Sequence, residues 1–408
     1  MKKHTTNSTS HKDLTRQFSH LLFLLGRSLR DITDPRDPRG VRYSLWQILA
    51  MVLLAKAAGQ DTPFAIAQWV AERQEVLVPL LELKQGRTPH HTTFHRVLRR
   101  LPKEQVEAAV RSFTLALAQE IKPDTTNDNI LARLVVFDGK TLRGTHLAQD
   151  GTLHLLSAYW PWVGGSLGQV RVKQKKENEI RQARPLLSRL PLADKVIIGD
   201  ALHTQRALST WLRERNAHFI WIVKENQKRL YHQLKDYFTW LDQQGRHLRL
   251  NPPQWEEAQT VEKSHGRLET RRILVSAEAL EGVSWPGGVQ AFCLISRRRK
   301  SGESETVEER RYGLTSLSPQ EASAEMLLQA VRMYWRIENS LHYRRDVTFQ
   351  EDKYRTQWAT LGQVMAALNN LLITFFNLFG FTNHAQARRW FDAHWMRYAG
   401  SLRLGLEG

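Results

Sequence analysis

Cysteine is almost absent from this sequence. The 408 residues contain one, Cys293. A single cysteine excludes an internal disulfide framework, and the lack of a Cys-x-x-Cys pair removes the usual structural zinc motif. The chain is therefore expected to fold in a reducing compartment. Its length is enough for a substantial hydrophobic core and predicts two or three structural units.

Long hydrophobic segments are also scarce. The start, MKKHTTNSTSHKDLTRQFSH, is polar, and the apolar patch Leu21–Leu25 is too short for a signal peptide and lacks a cleavage site. One uncharged stretch, Val364–Phe381, is apolar enough to be considered as a transmembrane helix. The polar residues Asn369, Asn370 and Asn377 interrupt it, which favours a buried core helix. A cytoplasmic protein with no membrane partner is the simplest interpretation.

Acidic residues are outnumbered by basic ones. The sequence has 41 Asp and Glu against 59 Lys and Arg, a net charge of +18, which favours a nucleic acid or an anionic surface as partner. Each basic cluster alone is typical of a solvated turn or helix face, but several dispersed clusters suit a long polyanion. Such binding would weaken steeply with salt. The clusters are Arg96 with Arg99-Arg100, Lys173–Lys176, Arg297–Lys300 and Arg388-Arg389.

Three acids stand out against this basic background. Asp138 follows the apolar run 134–137 in LVVFDGKTLRG, and Asp200 follows the run 196–198 in KVIIGDALHTQ. These runs are typical of strands buried on both faces, where a carboxylate is costly unless it binds something. A third acid, Glu338, lies in YWRIENSLHYRRD. Three such acids would suit a two-ion Mg²⁺ site for phosphoryl transfer.

Each acid alone also has an ordinary structural explanation. Asp138-Gly139 is a frequent turn pair, and Asp200 is a good N-cap for a following helix. Glu338 lies in Met333–Tyr343, whose helical spacing makes it a solvated face residue. Only the combination favours a shared divalent-metal site.

The pattern of apolar residues divides the chain into helical and mixed parts. Helices are expected at Leu14–Leu29, Leu45–Ala58, Pro63–Leu81, Thr92–Leu98 and Lys103–Ile121. The next part alternates strands with helices, typical of a mixed α/β sheet with an antiparallel start and a parallel continuation. Its expected strands are Val135–Phe137, His154–Tyr159, Gln169–Val172, Val196–Ile198 and Phe219–Val223, and its expected helices are Glu179–Leu190 and Thr204–Arg215. Short charged strands follow between 245 and 315, and helices return from Pro319.

The order of the motifs resembles the H-repeat-associated group of bacterial insertion-sequence transposases, relatives of the RNase H-like DDE transposases. The motifs are DGKTLRG, GDALHTQ, WIVKENQ, YWRIENSLHYRRDVTFQEDKYR and GQVMAALNNLL. The resemblance spans most of the chain and includes DPRDPRGVRYSLWQILAMVLLAKAAG near the amino terminus. It implies an α/β protein with an RNase H-like mixed-sheet catalytic core and a β-rich insertion, preceded by an all-helical N-terminal domain.

The resemblance also implies domain boundaries. We expect a disordered tail at 1–14, a helical domain at 15–124, a catalytic domain at 130–240 and 316–408, and an insertion subdomain at 241–315. The helical domain would bind DNA ends, with Thr92–Leu98 after the Gly86–His90 turn as part of a helix–turn–helix. The long gap between Asp200 and Glu338 accommodates the insertion, which resembles that of hairpin-forming relatives.

The implied function is DNA transposition. Asp138, Asp200 and Glu338 match the catalytic acids of the family, which bind Mg²⁺, with Mn²⁺ able to substitute, and cleave and transfer DNA strands at element ends. The implied partners are double-stranded DNA, at element ends and target, and a second copy of the chain in a homodimer. Residues beside the motifs are expected to contact DNA: Lys140, Arg143, His203, Lys224, Asn226, Gln227, Arg336, His342 and Arg345.

The motif around Glu338 departs from the wider superfamily. There the glutamate is accompanied by Tyr, Arg and Lys, whereas Val331, Tyr334 and Arg345 stand at the corresponding positions here. Glu351 is a rival acid in the same segment, which would either replace a ligand or balance nearby arginines. Two other functions stay open: an inactive, DNA-binding descendant of a transposase, and a metal-dependent structure-specific nuclease.

Overall fold

The computed structural model describes residues 11–120, 130–148, 151–173, 177–244, 255–264, 266–300 and 306–407. The expected linker at 121–129, the basic residues 174–176 and residues 1–10 of the expected tail lie outside these ranges. The first helix, α1, spans His11–Leu29 and therefore begins within the segment 1–14.

The N-terminal part is helical, as its sequence predicts. Its helices, within the described residues, are α1, α2 (Leu45–Ala57), α3 (Pro63–Ala71), α4 (Gln74–Leu80), α5 (His91–Leu98), α6 (Lys103–Glu120) and the short α7 (Ile130–Arg133). The single helix expected from Pro63 to Leu81 is two helices that break at Arg73. The guanidinium of Arg73 stacks over Trp69 and reaches Asp392 of the C-terminal helix at 3.1 Å, contacts that accompany the break.

A nine-stranded mixed sheet forms the centre of the protein, in the order β3-β2-β1-β4-β5-β9-β8-β7-β6. β1, β2 and β3 are antiparallel neighbours, whereas β4 and β5 run parallel to β1. This arrangement is the mixed sheet that the apolar pattern predicts and the RNase H-like core that the family resemblance implies. Its strands are β1 (Leu134–Leu147), β2 (Gly151–Trp160), β3 (Gly165–Val172), β4 (Val196–Gly199) and β5 (His218–Val223), with the helices α8 (Glu177–Leu187) and α9 (Arg206–Arg213) between β3, β4 and β5.

The β-rich segment continues the same sheet. Helix α10 (Lys228–Gln244) follows β5, and β9 then returns antiparallel to β5, pairing Val223 with Tyr312. The outer strands pair antiparallel in succession. They are β6 (Trp255–Ser264), β7 (Arg267–Ser276), β8 (Gln290–Lys300) and β9 (Val307–Thr315). The insertion is therefore joined to the core sheet by backbone hydrogen bonds.

Helices return after β9, as predicted. α11 (Ala324–Tyr334) is followed by π-helical turns at Ile337–His342 and Arg344–Thr348, then by α12 (Ala359–Leu378) and α13 (His384–Glu407). Among the described helices, α12 is the one whose length and composition would suit a membrane span, and 89% of its apolar window is buried inside the protein. Its Asn369 and Asn370 side chains donate hydrogen bonds to Glu351 and Gln169. Such burial and pairing are those of a core helix.

Two glycines allow α1 and α13 to pack with their backbones in close approach. A Cβ atom on Gly405 would lie 2.1 Å from the carbonyl oxygen of Phe23, and one on Gly26 would lie 2.6 Å from that of Leu402. Side chains at these positions would force the helices apart. The helix that ends the chain is thus packed tightly against the first helix of the N-terminal part.

Gly405→Ala is expected to destabilise the protein by about 1–3 kcal/mol, because the added methyl group overpacks the contact between α1 and α13. Gly400→Ala on the same helix is the matched control, since a Cβ there meets open space. Alanine is a better helix former than glycine, so this variant should gain up to about 1 kcal/mol. Thermal unfolding measures both, and equal changes would contradict the packing argument.

Candidate active site

Asp138 lies within its strand rather than at its end. β1 continues through Leu147, so the alternative interpretation of Asp138-Gly139 as a turn is wrong. The parallel pairing of β1 with β4 joins Leu134 to Val196 and Val136 to Ile198. Carried two residues further, the same register places Asp138 beside Asp200, on the face that Val136 and Ile198 share.

Asp200 caps a short 3₁₀ helix directly after β4. One of its carboxylate oxygens, Oδ1, accepts a hydrogen bond of 3.0 Å from the backbone N–H of Leu202. The N-cap role expected for an aspartate at this position is therefore present. The side chain remains 47% exposed, so capping orients the carboxylate and leaves it accessible to a ligand.

Glu338 lies on a π-helical turn. The backbone N–H of Tyr343 bonds to the carbonyl oxygen of Glu338, five residues earlier, and Phe349 bonds to Arg344 in the same way. Such wide turns are rare in proteins, and those that occur are often found at functional sites. The turn packs against β1, the strand that carries Asp138, and the Glu338 side chain is exposed.

The three acids affect one another electrostatically. Burial and the neighbouring Asp200 carboxylate raise the pKa of Asp138 to about 7, and Glu179 and Glu338 add to the effect. Burial, together with Asp138, Asp200 and Glu338, also raises the pKa of Tyr334. β1, the turn after β4 and the π-helical turn thus bring these acids within range of one another's charge.

This donor set suits a hard divalent cation. Carboxylates that repel one another are stabilised by a cation between them, and oxygen is the ligand atom that Mg²⁺ prefers. No group of three His, Cys, Asp or Glu side chains in the described ranges is already close enough to hold an ion as it stands.

Three of the expected DNA-contact residues lie inside the protein, against acids. Nδ1 of His342 is 3.7 Å from Oδ2 of Asp138, and burial together with Arg345 lowers the pKa of His342 well below its ordinary value. His203 lies beside Asp200, with 3.9 Å between Nε2 and Oδ1. The Nζ atom of Lys140 lies 2.5 Å from Oδ1 of Asp346.

The turn after β5 supports the segment that follows Asp200. Nδ2 of Asn226 donates a hydrogen bond of 2.6 Å to the carbonyl oxygen of Ala201, and Nε2 of Gln227 donates one of 2.9 Å to that of Thr204. Lys224, which precedes them, is exposed. Two of these three expected DNA contacts therefore hold the backbone near Asp200.

The expected arginine contacts differ in exposure. The Arg143 side chain is 84% exposed, and Arg336 is also exposed. Arg345 is fully buried, with Nε donating a hydrogen bond of 2.8 Å to Oε2 of Glu351. Arg345 thus has no exposed surface with which to contact DNA. Its partner Glu351 is buried as well and balances the arginine, one of the two roles that the sequence left open.

Sequence reasoning missed a fourth acid, Glu179. It lies in the first turn of α8, where Oε1 is 2.6 Å from Nε2 of His154 and Oε2 is 3.8 Å from Nε2 of His203. An acid in the first turn of a helix is ordinary because it complements the helix dipole. The sequence around Glu179 therefore carries no signal that would single it out.

Basic side chains gather around α5. Clefts of about 520 Å³ and 680 Å³ lie beside this helix, and Arg96 and Arg100 line both. Among the described residues, Arg96, Arg99 and Arg100 form no ion pair, and Arg99 lies over the ring of Trp358 at 4.4 Å. In contrast, Arg297 and Arg298 on β8 pair with glutamates on the neighbouring strands.

The helices around α5 differ from the expected helix–turn–helix. The connection from Leu80 to His91 is longer than the three- or four-residue turn of that motif, and α5 packs against α3. The basic surface of α5 is therefore presented by a different helical arrangement.

Comparison with known proteins identifies related chains. Two family models match, "DDE_Tnp_1-associated" over residues 27–114 and "Transposase DDE domain" over residues 131–373. The chain is 28% identical to "Putative transposase YncI" of Escherichia coli O157:H7 over 84% of each chain. It is 27% identical to "H repeat-associated putative transposase YhhI" of Escherichia coli K12 over 59% of this chain and 63% of that one.

Among solved structures, the chain is similar to piggyBac transposase in a synaptic complex with hairpin DNA. The TM-score is 0.41 at 10% identity, over 93% of this chain and 79% of that one. The transposase family model alone matches more than half of the chain, in a segment that contains Asp138, Asp200 and Glu338. The chain belongs to the DDE transposases, in the group of the H-repeat-associated proteins.

Proposed function

We propose that this protein cleaves DNA strands at the ends of an insertion sequence and joins them to target DNA. Asp138, Asp200 and Glu338 are its metal ligands. The observation that carries the proposal is the convergence of the three acids: the burial of Asp138 and its repulsion by Asp200 and Glu338 raise the pKa of Asp138 to about 7. Strongly raised carboxylate pKa values cluster at functional sites, and a bound cation would relieve the repulsion between these acids.

The metal of the proposed site is Mg²⁺, and Mn²⁺ would also fit its oxygen donors. Two such ions, when bound, would activate a water or a DNA 3′-hydroxyl as the nucleophile and stabilise the leaving oxygen of the scissile phosphate. The paired strands β1 and β4 fix Asp138 and Asp200, and the π-helical turn brings Glu338 to them. His342 lies beside Asp138, with 3.7 Å between Nδ1 and Oδ2, and burial lowers the pKa of its imidazole well below the ordinary value.

The proposed DNA contacts are the exposed basic residues. Arg143, Lys224 and Arg336 are exposed on the segments that carry or adjoin the acids. The surface of α5, with Arg96, Arg99 and Arg100, would hold the backbone of an element end. The other residues first expected to contact DNA would instead hold the backbone and side chains around the acids in position. The protein would act as a homodimer on double-stranded DNA.

A cleavage assay tests the proposal. The purified protein is incubated with linear DNA that carries the sequences flanking its gene, in Mg²⁺, in Mn²⁺ or in EDTA. We expect cuts at the element ends and joining to a second DNA, both dependent on the metal. Binding of the ends without any cutting would identify an inactive descendant, and cutting without joining would identify a nuclease.

DNA affinity should fall steeply with salt, because each phosphate contact releases a counterion. Removing the three arginines of α5 as Arg96→Ala, Arg99→Ala and Arg100→Ala should weaken binding. It should also reduce the log–log salt slope by about 2–3 units, since each contact contributes about 0.9. Fluorescence anisotropy measured between 50 and 200 mM salt gives the slope. Over this range, a protein that makes about 6–10 phosphate contacts loses about 10³–10⁵-fold in DNA affinity.

The control removes three arginines that are already paired. Arg271, Arg297 and Arg298 form ion pairs with glutamates on neighbouring strands, so replacing them by alanine removes the same charge from a different surface. Equal loss of slope in both triple variants would show that net charge, rather than the α5 surface, governs binding.

A further inference from the structure

Glu179 is held in a defined orientation beside the three acids. Its Oε1 atom lies 2.6 Å from Nε2 of His154, and Nδ1 of His154 lies 2.8 Å from the hydroxyl of Thr141. This chain of contacts fixes the carboxylate from β1 and β2. Metal-binding carboxylates are typically held by such outer partners.

Gly139 provides the space that brings Glu179 close to β1. A Cβ atom at Gly139 would lie 2.8 Å from Nε2 of His154 and 2.9 Å from Oε1 of Glu179. Any side chain there would therefore displace the Glu179–His154 pair. The lack of a side chain at Gly139 therefore leaves room for a fourth carboxylate beside β1, the strand that carries Asp138.

His203 faces the gap between two carboxylates. Its side chain is 1% exposed, and neither ring nitrogen has a hydrogen-bond partner within the part of the chain that the structure describes. Nε2 lies 3.8 Å from Oε2 of Glu179 and 3.9 Å from Oδ1 of Asp200, too far for hydrogen bonds. Buried polar atoms are nearly always paired, so this nitrogen points to a partner between the two acids.

We propose that Glu179 is a fourth ligand of the metal site and shares with Asp200 the cation on the side of His203. The inference rests on the proposed function, because it concerns the same site. Four carboxylates balance the charge of two divalent cations, whereas three leave an excess of positive charge. The nearby imidazole nitrogen of His203 is a better ligand for Mn²⁺ than for Mg²⁺, so Mn²⁺ is the more sensitive probe of this site.

The test measures Mn²⁺ binding directly. Electron paramagnetic resonance counts free Mn²⁺ during titration of the full-length protein without DNA. Glu179→Gln keeps the size of the side chain and removes its charge, and we expect the Kd to rise at least about tenfold. Glu214→Gln is the control, because Glu214 is an exposed carboxylate at the end of α9. It should bind Mn²⁺ as the wild type does.

A second variant reaches the same carboxylate without changing any charge. Gly139→Ala displaces the Glu179–His154 pair and should also weaken Mn²⁺ binding. Each variant is checked by its melting temperature in EDTA, and the rise in melting temperature that Mn²⁺ produces in the wild type should be reduced in both. If one of these two variants does not fold in EDTA, the other provides the test alone.

Asp200→Asn separates failure of this inference from failure of the proposed function. If Asp200→Asn weakens Mn²⁺ binding and folded Glu179→Gln binds as the wild type does, Glu179 is not a ligand and the three-acid site stands. If neither substitution alters Mn²⁺ binding, the metal site itself is absent and both proposals fall. Weakened binding in both, with Glu214→Gln unchanged, supports the fourth ligand.

Discussion

Glu338→Gln is expected to abolish metal-dependent cleavage and joining while leaving DNA binding intact. Glutamine preserves the size of the side chain but removes the charge that a divalent cation requires. We expect a loss of at least about a thousandfold in cleavage rate, which corresponds to about 4 kcal/mol in the activation barrier. Single-turnover cleavage and a gel-shift assay on the same DNA measure the two properties separately.

Two further glutamates serve as controls for this substitution. Glu325 is exposed on α11, so Glu325→Gln should cleave normally. Glu351→Gln removes charge from a buried pair and should lower stability rather than act on the metal site. If Glu351→Gln stayed folded and alone abolished cutting, Glu351 would replace Glu338 as the third ligand.

The sequence predicts the two strands that carry the aspartates because buried strands have a recognisable run of apolar residues. The apolar runs 134–137 and 196–198 are typical of buried strands, and the structure pairs them in a parallel register that places Asp138 and Asp200 side by side. The five core strands and most helices lie where the apolar pattern predicts them. Glu338 is predicted as the third acid only in combination with the two aspartates, and the family resemblance matches it to the catalytic glutamate.

Other features depend on contacts between distant segments and leave no local pattern. Gly139 looks like a turn residue in the sequence, yet it lies inside a strand, where a Cβ atom would meet His154 and Glu179 from distant segments. The π-helical turn at Glu338 has the same apolar spacing as an ordinary helix. Likewise, the pairing of β9 with β5 makes the insertion part of the core sheet, which local sequence cannot show.

Arg345 shows most clearly how burial changes the interpretation of a charged residue. Its place in the Glu338 motif favours a DNA contact, yet it is fully buried and bonds to Glu351 and Gln169. Glu351 also accepts a hydrogen bond from Asn369 of α12, and the backbone of Gln169 on β3 donates one to Glu107 of α6. This buried network joins the π-helical segment to the sheet and to the N-terminal helices.

Removal of one partner from this network should strongly destabilise the protein. Arg345→Met leaves Glu351 buried without its compensating charge, and breaking a buried ion pair in this way costs about 3–5 kcal/mol. The double variant Arg345→Met with Glu351→Leu removes both charges and should recover much of the loss, because apolar replacements of buried pairs are often tolerated. Urea denaturation of the single and double variants measures the free energy of unfolding.

The same variants decide between the two roles of Arg345. A structural cation predicts that the double variant regains both stability and DNA affinity, since no phosphate contact has been lost. If Arg345→Met instead kept wild-type stability and lost DNA affinity, Arg345 would contact DNA, as the sequence alone predicts. A double variant that regained stability without regaining DNA affinity would likewise assign the arginine to DNA, after a rearrangement that exposes it.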